Sequence, residues 1–84
     1  MPNNLAITDT YEETKMLIFQ VSHRMSTRYF IPFEDVLGQA HLIFVKSFYS
    51  YDTSFGTRFT TWLQSKLSWG LTTWLQDEYR SRIH

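Results

Sequence analysis

The stretch Tyr29-Phe30-Ile31-Pro32, followed by Phe33-Glu34-Asp35-Val36-Leu37, decides the fold. Proline disfavours helical geometry in the residue before it and fits the first helical turn itself. One helix is therefore expected to end at this break and a second to run from Pro32 to about Ser50. Upstream, Tyr11, Thr14, Ile18, Val21 and Met25 recur at spacings of three and four, the stripe of a helix with Leu17 and Arg28 at its flanks. A capping box, with Asp9 or Thr10 followed by Glu12 or Glu13, predicts its start, leaving residues 1–8 as a flexible N-terminus. Downstream, Phe33, Val36, Leu37, Ala40, Phe44, Ser47 and either Phe48 or Tyr51 share one face of the second helix. Leu42, Val45 and Tyr49 form a second apolar row, beside Asp35, Gly38 and Lys46. A helix apolar on two sides is sandwiched or covered by a partner.

Asp52-Thr53-Ser54-Phe55-Gly56 reads as the next turn, rich in residues that bond their own backbone or accept positive φ. A third helix is expected from about Arg58 to Tyr79. Phe59, Leu63, Leu67, Gly70, Leu71 and Trp74 make its buried stripe, with Gly70 allowing a neighbouring helix to approach closely. The expectation is an all-α, compact three-helix domain over residues 9–84, because splitting 84 residues would leave halves too small to fold unaided.

Composition narrows the function. There are no cysteines, which removes disulfides and thiolate metal sites, and 18% aromatic residues are too many for a disordered chain. Eight basic and eight acidic residues cancel, which argues against a binder that works mainly by neutralising phosphates. The charge is unevenly placed: residues 1–35 carry a balance of minus two and residues 56–84 of plus two. The start Met-Pro-Asn-Asn lacks the basic segment of a signal peptide, and no run reaches the ~18 apolar residues of a membrane span. A cytoplasmic domain without membrane contact is expected.

On the third helix Trp62, Lys66, Trp69 and Thr73 form a row directed away from the predicted core. Two readings stay open. Tryptophan is buried on average, so one or both rings pack under the Tyr29 loop or the C-terminal tail. Alternatively the row is a base-stacking platform, which needs little net charge.

The strings Phe33-Glu34-Asp35-Val36-Leu37 and Tyr51-Asp52-Thr53-Ser54-Phe55-Gly56-Thr57-Arg58-Phe59-Thr60-Thr61-Trp62-Leu63, with Lys46 between them, resemble region 2 of bacterial sigma factors. The match runs ungapped from about Leu17 to Gln76, and the turn followed by Phe59-Thr60-Thr61-Trp62 is its specific part. The resemblance implies that the second helix docks on the clamp coiled coil of the largest catalytic subunit of RNA polymerase core. Asp35 matches an acidic docking position, Gln39 stands where the family has glutamate, His41 stands where it commonly has asparagine, and Leu42 and Val45 fall on the same side. It also implies that the third helix binds single-stranded promoter DNA, the nontemplate strand near the minus-ten element. Trp62 matches a stacking position, Phe59 and Thr61 the motif beside it, and Arg58 a basic position suited to phosphate. The family's paired wedge tryptophans fall on Ser65 and Lys66, and Trp69 takes a position often held by a polar reader. No second helix-turn-helix domain follows, so a minimal factor of the kind viral late-transcription factors resemble would need a helper protein for upstream promoter contacts.

Enzymatic chemistry has little support, and no cofactor or metal is expected. His23, His41 and His84 are isolated, no phosphate-cradling glycine loop occurs, and Glu12-Glu13 and Glu34-Asp35 read as first-turn carboxylates favoured by the helix dipole. Three functions remain: a sigma-like initiation factor, a sigma mimic that occupies polymerase without reading DNA, and a structural or interaction module sharing only the fold.

Overall fold

The computed structural model describes the backbone of residues 4–52, 54 and 56–83, with side chains described within residues 7–78. Three helices follow one another: α1 (Asn4–Tyr29), α2 (Phe33–Ser50) and α3 (Phe59–Ile83). All three pairs are in contact, so the domain is a three-helix bundle in which α2 lies antiparallel to both neighbours in sequence. None of the described helices is long and apolar enough to cross a membrane.

The start of α1 corrects the sequence reading. The helix already runs at Asn4, and the Thr14 hydroxyl donates to the Thr10 carbonyl at 2.8 Å, so Asp9 and Thr10 lie inside the helix. Regular i→i−4 bonding extends upstream of the capping box, because Leu5, Ala6 and Ile7 continue a helix-compatible pattern. The Lys15–Glu12 pair is exposed at 2.9 Å; the carboxylate raises the lysine pKa, and such a pair adds little stability.

The α1 terminus is a Schellman-type cap. The Ile31 N–H donates to the Ser26 carbonyl at 3.2 Å, Phe30 adopts φ +57°, and Ile31 is buried with Met25. The Ser26 hydroxyl closes the same loop by donating to the Ile31 carbonyl at 2.6 Å. Pro32 then sits just outside α2 as its N-cap and not as its first residue. Its carbonyl accepts from the Asp35 and Val36 amides.

The core joins Ile18, Val21 and Met25 of α1, Val36, Ala40 and Phe44 of α2, and Leu63, Leu67, Leu71 and Leu75 of α3, with Ile31 between helices. Leu75 extends the α3 stripe by one turn beyond the sequence reading, and Phe59 and Trp74 only pack against its edge. Gly70 has the close approach its position suggested: a Cβ there would stand 2.8 Å from Ile43 Cδ1. Ser22 is fully buried and its hydroxyl has no hydrogen-bond partner. Ser22→Ala removes an unsatisfied buried group and improves helix propensity, so it should stabilise the domain by about 1 kcal/mol. A melting temperature equal to or below that of the unaltered chain would contradict this.

Between α2 and α3, the Asp52 side chain accepts from the Ser54 N–H at 2.9 Å, as expected for a turn of this composition. That amide, and then the Ser54 hydroxyl, hold the carboxyl below its usual pKa. Its contribution to the turn is therefore complete at neutral pH and is lost on acidification, as the carboxyl protonates. Gly56 supplies the positive φ, +72°, that the turn requires. Thr53 and Phe55 of the expected turn lie outside the described residues.

Candidate polymerase-docking face and nucleic-acid interface

Helical geometry at about 100° per residue places Asp35, Gly38, Leu42, Val45 and Tyr49 on the side of α2 opposite Val36, Ala40 and Ser47. The structure agrees. Leu42, Val45 and Tyr49 are 55%, 43% and 52% exposed, and Asp35 lies exposed in the first turn, where the helix dipole favours a carboxylate.

Two residues expected on this face belong elsewhere. Gln39 and His41 are half-buried and sit on opposite shoulders of α2, separated by about 160° around the helix. His41 closes against α1: its Nε2 lies 3.0 Å from the Tyr11 hydroxyl, and the two rings meet edge to face at 5.4 Å. A shallow apolar recess lined by Ile7, Tyr11, His41, Phe44 and Val45 marks this seam. The docking face proper therefore consists of Asp35, Leu42 and Val45, extended by Tyr49.

The α3 row is likewise divided. Trp69 is 73% exposed, and Thr73, one turn on, is exposed with its hydroxyl donating to the Trp69 carbonyl. Trp62 was expected to be an outward platform, but it is half-buried and anchored. Its indole N–H donates to the Ser47 carbonyl at 3.3 Å, its ring tilts against Tyr51 at 6.1 Å, and the Lys66 ammonium lies 4.5 Å from its ring centroid. The burial comes from the α2–α3 turn, not from the Tyr29 loop or the C-terminal tail. One face of Trp62 is thus covered by a cation, and Lys66 is held at the ring.

Phe59 is drawn inward as well. Its ring packs on Tyr51 at 5.3 Å and on Phe44 and Phe48 at 6.2 Å each, which suits the buried stripe and removes it from the set available to a base. The Tyr51 hydroxyl donates to the Thr57 carbonyl, fixing the entrance to α3. Arg58 and Thr61 remain exposed. The Arg58 carbonyl accepts from the Trp62 amide, so the guanidinium stands at the helix N-terminus, where the dipole is itself positive. That placement is unfavourable for the helix and attractive to an anion.

These groups line a groove of about 470 Å³ formed by Thr57, Thr61, Trp62, Ser65, Lys66 and Trp69. Thr57 and Ser65 are additions to the sequence reading; small polar residues at these spacings carry no signal of their own. The groove offers one open ring, one ring backed by a cation, and a positive rim. Among the described residues, no group of three or more histidine, aspartate or glutamate side chains is arranged to hold a metal. Comparison with protein-family models, with curated proteins and with solved structures finds no match to this chain.

Proposed function

We propose that this domain is a minimal sigma-like transcription-initiation factor, which docks through α2 on the clamp helices of RNA polymerase core and holds nontemplate promoter DNA in the α3 groove. The observation that carries this reading is the exposed face of α2. Leu42, Val45 and Tyr49 form an apolar strip that no other described element covers, with Asp35 near one end. Such a strip on so small a domain marks a contact surface. The resemblance to sigma region 2 supplies a partner for that same surface. The α3 groove supplies the second contact, with Trp69 as the ring open to a base and Arg58 and Lys66 facing the strand.

The test is binding to polymerase core. Asp35→Arg reverses a charge on the exposed face without touching the core, and should weaken binding at least about tenfold. Trp69→Ala should leave docking intact while reducing crosslinking to nontemplate DNA, at a cost of ~1–3 kcal/mol for the lost stacking. Undiminished polymerase binding by the folded Asp35→Arg variant would remove the docking assignment.

One observation favours the sigma-mimic reading. The anchoring of Trp62 to Ser47 and Lys66 leaves Trp69 as the single bare tryptophan in the groove. A mimic would dock as strongly and would inhibit or redirect transcription from a melted promoter, whereas an initiation factor would direct it.

A further inference from the structure

The α1–α2 turn carries a second unexplained surface. Phe30 is 90% exposed and holds φ +57°, at the helix-capping position that glycine ordinarily takes. A phenylalanine there is disfavoured in its backbone and gains nothing from burial, so its ring has no role within the described fold. Beside it, the outward side of α1 forms a shallow trough lined by Phe19, Gln20, His23, Arg24, Thr27 and Arg28. Residues 14–33 contain no carboxylate at all. Arg24 and Arg28 form no ion pair among the described residues, and the carboxylates that follow, Glu34 and Asp35, make none with them. Arg28 lies 5.8 Å from the Tyr29 ring centroid, close to the tip.

We propose that this trough and tip form a contact for single-stranded nucleic acid, separate from the α3 groove. Phe30 stacks on a base, and Arg24 and Arg28, one helical turn apart, meet phosphates of the adjoining strand. The combination favours a nucleic acid over an acidic peptide: two unpaired guanidinium groups suit either, but the bare ring beside them suits a base face. The site stands at the opposite end of α2 from Trp62, roughly 27 Å away for an 18-residue helix. A strand held there is therefore not the one the α3 groove alone would hold.

The experiment measures fluorescence anisotropy of labelled oligo-dT with the full chain at low salt, with polyglutamate as competitor. Phe30→Gly should raise the melting temperature by several degrees while weakening oligo-dT binding about tenfold, a combination that loss of folding does not produce. Arg24→Glu with Arg28→Glu should weaken it at least as much and flatten its salt dependence. Trp69→Ala, run in parallel, separates the two sites. Loss of binding in the Phe30 and arginine variants with Trp69→Ala unaffected supports this site and counts against the groove. Loss confined to Trp69→Ala overturns this site and spares the groove. Unchanged affinity in Phe30→Gly, no binding by the unaltered chain, or competition by polyglutamate at matched charge also overturns it.

Discussion

Trp62→Ala is expected to lower the unfolding free energy by about 2–4 kcal/mol, somewhat under the cost of deleting a fully buried tryptophan. Three contacts go at once: the indole bond to the Ser47 carbonyl, the packing against Tyr51 and the Lys66 contact. The first two tie the start of α3 to the end of α2. Domains of this size hold roughly 4–12 kcal/mol in total, so the melting temperature should fall by more than about 10 °C. Trp62→Phe separates the contributions, because it keeps a ring against Tyr51 and loses only the donated hydrogen bond, worth about 1 kcal/mol. DNA binding by Trp62→Ala is to be measured well below its melting temperature. A variant that melts with the unaltered chain would show that the indole is not a structural anchor.

Gly70→Leu should be at least as damaging, at about 3 kcal/mol. A Cβ at Gly70 would lie 2.8 Å from Ile43 Cδ1 and 3.3 Å from its Cγ1, and a leucine would drive the rest of its side chain into the α2–α3 contact. Gly70→Ala is the informative control. It gains about 1 kcal/mol of helix propensity, while Ile43 must shift a few tenths of an ångström to make room, so the two effects nearly cancel. Urea midpoints measure both. A leucine variant as stable as the alanine variant would mean that the helices part at no cost and that the glycine serves no packing purpose.

Much of this architecture was legible in the sequence because it rests on periodicity. The spacing of Thr14, Ile18, Val21 and Met25, and of Leu63, Leu67 and Leu71, places one stripe per helix whatever the partner, and the exposed row Leu42, Val45 and Tyr49 follows from the same arithmetic on α2. What escaped was tertiary. Nothing local shows that His41 turns toward Tyr11, because its angular position lies between core and surface and a neighbouring helix decides the matter. Trp62 reads as outward by angle alone; it is the α2–α3 turn folding back that brings Ser47 and Tyr51 to it. The strained Phe30 was hidden because the capping geometry ordinarily announces itself by a glycine, and this chain has none at that position.

The short connections of the bundle have a kinetic consequence. α1 and α2 are joined through residues 30–32 and α2 and α3 through residues 51–58, so each helix packs first on the one beside it in sequence. Little chain must be closed before those contacts form, and helical domains of this topology fold in microseconds to milliseconds. Such a domain recovers quickly after being opened. Trp62, at the α2–α3 junction, lies where a temperature-jump fluorescence signal would report the closing of that joint.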